Sequence, residues 1–258
     1  MEGIKDYFKQ KLSASSKIKI KRFLQSFEAE FHKSNLDKLA IIFKSDKFGE
    51  HFYTPIYKQH FSEHRRKKIK LLEIGVGGYR DELNGGNSLR MWKKYFEKAQ
   101  IFSFDIYDKK ALEESRIKIF KGSQNDTNFL KYLADTIGDF DIIIDDGSHI
   151  NQDVITTFNF LFPKLNLGGI YVIEDVQTSY WPECGGNSKE FNSHKTIVGY
   201  FKSLIDGLNH EELIIDNYES SYFDQNIKSI HFYHNLIIVN KGLNNEGSNY
   251  LVNNKRPI

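Results

Sequence analysis

From residue 69 onward the chain alternates short β-rich runs with helical ones. The β-rich runs are KIKLLEIG, IFSFDI, IKIFKG, FDIIIDDG and GGIYVIED; SLRMWKKYF, NFLKYLADTIG and DVITTFNFLFPKL fall between them as helical candidates. Strands separated by helices cannot pair through tight hairpins, so the alternation predicts an α/β fold with a mostly parallel, twisted sheet and helices on both faces. The run DIIID is apolar at successive positions, as a strand buried on both sides requires. A last apolar run, HFYHNLIIVNKG, is expected to close the sheet with one further strand.

The first 68 residues are expected to form an N-terminal helical extension. Ile20, Phe23, Leu24, Phe27 and Phe31 recur at the spacing of one stripe on an amphipathic helix, and LDKLAIIF after Asn35 reads as a second helix. SDKFGEHFYTPIYKQHF, with Pro55 and its aromatics, suits a packed connection. Tyr53 in that segment is a candidate for covering a cofactor, with core packing as its other reading. Residues 69–242 are assigned to the sheet domain. Within them, 176–228 lose the alternation and read as a lid or substrate-binding insertion, while the Asn/Gly-rich 243–258 is expected to be a frayed tail. No internal repeat or low-complexity tract is visible.

A formal net charge of +2 argues against a strongly basic nucleic-acid footprint. The single cysteine, Cys184, excludes a disulfide framework and any cysteine-rich metal site. No apolar run is long enough for a membrane span, and MEGIKDYFKQKLSASSKIKIKR lacks the apolar core of a signal peptide, so a cytoplasmic protein is expected.

In an open parallel sheet, ligands bind beyond the carboxyl ends of the strands, near the point where strand order reverses. The first strand delivers Glu73-Ile-Gly75-Val-Gly77-Gly78, whose glycines permit a tight turn and close approach of a ligand. Arg80 and the loop YRDELNGGN break the dinucleotide fingerprint. Glu73 would repel a pyrophosphate but suits a ligand with an amino group and a sulfonium, as in S-adenosylmethionine. Asn87 or Ser88 is a candidate helix N-cap. Asp105, ending the second strand, is placed to accept both hydroxyls of an adenosine ribose. Ser123 and Gln124 follow the third strand, where an adenine edge would lie in that arrangement.

The fourth strand ends in Asp145-Asp146-Gly147-Ser148-His149 and the fifth in Glu174-Asp175. On neighbouring strands, Asp146, Glu174 and Asp175 would form a carboxylate cluster whose mutual repulsion a hard divalent cation relieves. Oxygen ligands without cysteine favour magnesium, manganese or calcium over zinc. Glu174 and Asp175 point to opposite faces if both are extended, so joint ligation requires a turn there. His149, three residues after Asp146, is the candidate general base. Tyr180 and Trp181 either cover the acceptor or pack the lid.

LLEIGVGGYRDELNGGNSLRMWKKYF, FDIYDKK, GSQND, FDIIIDDGSH and GGIYVIEDVQTSYWPECGG, in this order, resemble the metal-dependent sugar O-methyltransferases of macrolide biosynthesis, the mycinamicin and demethylmacrocin type. The resemblance runs from about Leu36 to Gly186, and more loosely to Lys241. It implies a class I methyltransferase that uses S-adenosylmethionine and Mg²⁺ or Mn²⁺. By similarity, Asp146, Glu174 and Asp175 would hold the metal, with His149 as base and Asp146 counted with it as catalytic. Glu73, Gly75, Gly77, Asn87, Ser88, Asp105, Ser123, Gln124 and, with Tyr53, Asp145 would line the cofactor site. Members of the family carry longer N-terminal portions than the 68 residues found here.

The lysine-, isoleucine- and asparagine-rich composition turns the acceptor expectation toward a nucleotide-linked or polysaccharide-precursor sugar such as a heptose. The alternative is the same fold acting on a macrolide sugar, an amine, a phosphoramidate or a catechol-like oxygen. A homo-oligomer is expected. A nucleic-acid methyltransferase is disfavoured by the charge and by the lack of an Asn-Pro-Pro-Tyr-like motif, and a non-catalytic binding module by the acid cluster with its histidine.

Overall fold

The computed structural model describes residues 14–256, which fall into two compact units. One contains the residues up to Lys67 together with Asn87–Lys98; the other contains Lys68–Gly86 and the residues from Ala99 onward.

The first unit is helical. Helix α1 spans Ala14–Glu30, α2 Leu36–Phe43, α3 Thr54–Phe61 and α4 Asn87–Tyr95. Asn35 caps α2 by accepting from the Lys38 N–H, and Lys44 ends it in the left-handed conformation. The core is aromatic. Tyr57 stacks on Phe61 with ring centroids 4.9 Å apart and meets Trp92 edge-on at 5.2 Å, while Phe61 lies 5.7 Å from Phe96. The packed connection anticipated around Pro55 is thus α3, with Tyr57 and Phe61 buried. Although α4 follows β1 in sequence, its buried Leu89, Met91, Trp92 and Tyr95 place it in this unit.

The second unit is built on a seven-stranded sheet. Its strands are β1 Lys70–Ile74, β2 Gln100–Asp105, β3 Ile117–Lys121, β4 Phe140–Asp145, β5 Leu165–Glu174, β6 Ile227–Tyr233 and β7 Leu236–Lys241, in the order β3-β2-β1-β4-β5-β7-β6. The first five run parallel and β7 is antiparallel to both β5 and β6. This is the mostly parallel α/β sheet the alternation predicts. The strand order reverses between β1 and β4, so their carboxyl ends flank the crevice where ligands bind in such sheets. The final apolar run differs from expectation: it forms a hairpin, because Asn235 adopts φ 58° and turns the chain between β6 and β7.

Helices α5, Thr127–Ile137, and α6, Asn151–Leu161, connect the strands, and α7, Ile197–Ser203, and α8, Tyr222–Asn226, follow β5. Asp126 caps α5 by accepting from the N–H groups of Asn128 and Phe129. The apolar residues of β1, β4, β5 and β7 and the inner faces of α5, α6 and α7 share one core. The C-terminal stretch is tied down by asparagine side chains. Asn244 donates to the carbonyls of Leu208 and Asp224, and Asn254 to those of His210 and Leu213.

Phe158 on α6 is fully buried, with rings of Phe201, Phe162, Tyr171 and Phe223 at 4.7 to 5.5 Å. Phe158→Ala is expected to cost about 3 to 5 kcal/mol in chemical denaturation. A loss below about 1 kcal/mol would show that these rings do not form one cooperative core.

Candidate active site

The loop after β1 is a chain of backbone contacts made by glycines. Gly75 has φ 92°, and a methyl group there would stand 2.2 Å from the carbonyl oxygen of Asp146 in the loop after β4. Gly78 and Gly85 approach the carbonyls of Asn84 and Gly77 just as closely, and Gly86 N–H bonds the Val76 carbonyl at 2.7 Å. Lys109, buried beyond β2, donates to the carbonyls of Asp81 and Asn84 at 2.7 and 3.1 Å and closes this loop from the other side. Nothing in the sequence around Lys109 announces that role.

Asp105 accepts from Val76 N–H at 3.1 Å through one oxygen and from Tyr107 N–H at 2.9 Å through the other. Its carboxylate therefore bridges the ends of β1 and β2 while remaining partly exposed. Glu73 is fully buried in β1. Ser123 is half-buried and donates to Asn125.

Gln124 and Asp145 do not present their side chains at the surface. Both are buried, and Gln124 Nε2 lies 3.2 and 3.3 Å from the two Asp145 oxygens. Gln124 Oε1 accepts from Ser148 N–H at 2.6 Å, and a methyl on Gly147 would sit 2.1 Å from that oxygen. What the two residues do directly is fix the Asp146–His149 loop. Burial pushes the Asp145 carboxyl up to about 7, against hydrogen bonds from Gln124 and Gly147 that lower it.

Tyr53, Asn87 and Ser88 belong to the helical unit. Tyr53 is buried, stacked on His51 and edge-on to Tyr57, which matches the core-packing reading of its ring. Asn87 is the first residue of α4 rather than its cap; it donates to the Lys44 carbonyl and accepts from Arg90.

The carboxyl ends of β4 and β5 bring Asp146, His149 and Asp175 together, one ligand atom from each lying within 4.8 Å of the others. His149 Nε2 is 3.8 Å from Asp146 Oδ1 and 3.7 Å from Asp175 Oδ2. Those separations exceed hydrogen bonds. They bring the three groups close enough together for one cation to reach more than one of them. Of these groups the two carboxylates, with no thiolate nearby, fit a hard divalent ion, and the imidazole stands beside them.

Two backbone distortions build this cluster: His149 has φ 55° and Asp175 φ 53°. A left-handed non-glycine residue costs about 1 to 2 kcal/mol, and such strain collects at functional sites. The turn that joint ligation requires occurs at Asp175. Glu174, still in β5 and paired with Leu236, is buried and lies outside the group of three.

The segment after Asp175 is fixed through Asn151, the first residue of α6. Its amide donates to the carbonyls of Thr178 and Cys184 at 3.0 and 2.8 Å and accepts from Ile197 N–H at 2.7 Å. Above this base Tyr180 and Trp181 are 38% and 46% exposed. The first part of the expected lid is therefore anchored, with two aromatic rings facing outward.

The sheet order and the glycine turn after β1 are those of the class I methyltransferase fold. No family model matches the chain. It is 48% identical over 217 residues to the mycinamicin VI 2''-O-methyltransferase of Micromonospora griseorubida, and 47% identical to the demethylmacrocin O-methyltransferase of Streptomyces fradiae. A solved structure of the MycE methyltransferase in complex with Mg, SAH and mycinamycin VI superposes with a TM-score of 0.79 at 47% identity, over 83% of this chain and 55% of that one. The chain is thus a homologue of the metal-dependent sugar O-methyltransferases, as its motifs imply. It covers 83% of its own length in these matches but spans about half the length of the relatives, 54% and 55%.

Gly75→Ala is expected to lose about 2 to 4 kcal/mol of stability, from left-handed strain plus the collision with Asp146. Gly77→Ala, at φ 75° with open space around it, is expected to lose only about 1 to 2 kcal/mol. Equal losses in denaturation would refute the interlocking of the two loops.

Proposed function

We propose that this chain transfers a methyl group from S-adenosylmethionine to a hydroxyl of a sugar carried by a macrolide or related glycosylated product. The observation that carries the reading is His149 Nε2, placed 3.8 and 3.7 Å from two carboxylates at the ends of adjacent parallel strands. A base so placed can take the hydroxyl proton.

Asp146 and Asp175 would hold a divalent cation, Mg²⁺ or Mn²⁺, with Glu174 as a third carboxylate if its side chain turns from its buried position. When bound, such an ion supplies positive charge that lowers the pKa of the acceptor hydroxyl. The Gly75–Gly78 turn and Asp105 would receive S-adenosylmethionine, the methyl donor. Glu73 places a buried carboxyl in β1 below the turn. Tyr180 and Trp181 offer apolar faces on which a sugar ring can lie.

The nucleotide-linked or heptose acceptor expected from composition, and with it a role in polysaccharide synthesis, has no counterpart among the named relatives. Mycinamicin VI and demethylmacrocin both favour the macrolide-sugar alternative instead. No helix of the described residues is long and apolar enough to cross a membrane.

Incubation with S-adenosylmethionine, Mg²⁺ and parallel panels of glycosylated macrolides and nucleotide sugars, read by mass spectrometry, is expected to add one methyl group to a member of the first panel. Methylation confined to nucleotide sugars would restore the other acceptor. His149→Ala should lower turnover by about 10²- to 10⁴-fold at pH 7 while cofactor binding persists. Asp146→Asn, or excess chelator, should nearly abolish turnover. Full activity in chelator would remove the metal from the scheme.

A further inference from the structure

Helix α1 is amphipathic with its apolar face turned outward. The face against the rest of its unit carries buried Ala29, half-buried Ile18, Arg22 and Ser26, and Gln25, which donates to the Ile42 carbonyl of α2. On the opposite face Ile20, Phe23, Leu24 and Phe27, continued by Phe31 in the turn after the helix, are 46, 70, 59, 61 and 73% exposed. At about 200 Å² for each aromatic side chain, this stripe leaves on the order of 600 Å² of apolar surface in water. That is as large as the largest patch on a typical monomer. Two such stripes pressed together remove about 1,200 Å², the lower end of what specific interfaces bury.

The stripe also has a pairing code. Ile20, Leu24, Phe27 and Phe31 follow one another at intervals of four, three and four residues, the seam of a two-stranded coiled coil. Exposed Lys21 and Glu28 flank the seam at equivalent heptad positions. In an antiparallel pair Leu24 lies opposite Phe27 of the second copy, Ile20 opposite Phe31, and each Lys21 meets a Glu28. A parallel pair would set Phe23 beside Glu28 and leave the charges unmatched. The face is therefore complementary to itself across a two-fold axis, as a homodimer contact must be.

We propose that α1 is the docking surface for a second copy of this chain, packed antiparallel along the Ile20–Phe31 stripe. Sedimentation of the full chain is expected to show a concentration-dependent dimer. Leu24→Asp with Phe27→Asp should convert it to a monomer with an unchanged circular dichroism spectrum. Lys21→Glu should weaken the dimer about tenfold by setting like charges together at both ends, and adding Glu28→Lys should restore it. With Cys184 replaced by Ser, oxidation should cross-link a Leu24→Cys chain to a Phe27→Cys chain more readily than either to itself. A wild-type monomer at all concentrations, or a dimer indifferent to the aspartates, overturns the proposal. In such a monomer, slow maleimide labelling of Phe27→Cys would assign the cover to residues 1–13, and fast labelling to a different partner.

Discussion

The loops that leave β1 and β4 meet at Gly75 and Asp146, and the candidate site depends on that contact. Gly75 lies so near the Asp146 carbonyl that a single methyl group would reach 2.2 Å from the oxygen. Gly147 makes the matching approach to Gln124, whose amide also holds Asp145 and the Ser148 N–H. Two positions without a Cβ thus let the loop that would receive the donor interlock with the loop that carries Asp146 and His149. Asp105 extends the link to β2 through the Val76 N–H. The separation of the two loops is in this way set by backbone contacts, which are stiffer than contacts between long side chains.

The rest of the site is assembled by strain at two residues. Left-handed backbone at His149 and at Asp175 aims an imidazole and a carboxylate from adjacent strands at the same point. Each residue forgoes about 1 to 2 kcal/mol for that conformation, which the buried Ile142–Ile144 ladder and the Asn151 hydrogen bonds can offset. Glu174, one residue earlier, is still in β5, buried and paired with Leu236.

Most of the sheet was legible because parallel strands are short apolar runs and helices show a longer period. The strands ending in Ile74, Asp105, Lys121 and Asp145 each lie where an apolar run meets Gly or Asp. The β6–β7 hairpin was not legible, since its turn rests on Asn235 in a left-handed conformation within an apolar stretch. Asp146, His149 and Asp175 could be found from strand ends. That Gln124 and Asp145 bond each other in the interior could not, because both are polar residues at positions where ligands bind. The stripe on α1 was visible as a period, but periodicity does not say which face of a helix meets its own chain.

The central claim is that Asp146 and Asp175 form a divalent-cation site beside His149. Titration of the full chain with Mn²⁺, followed by loss of the free-ion EPR signal, tests it without any acceptor. The expected result is saturable binding by the wild-type chain and its loss in Asp146→Asn and in Asp175→Asn, both still folded. Saturable binding that is equal in the wild type and both variants, or no binding by the wild type, would contradict the account.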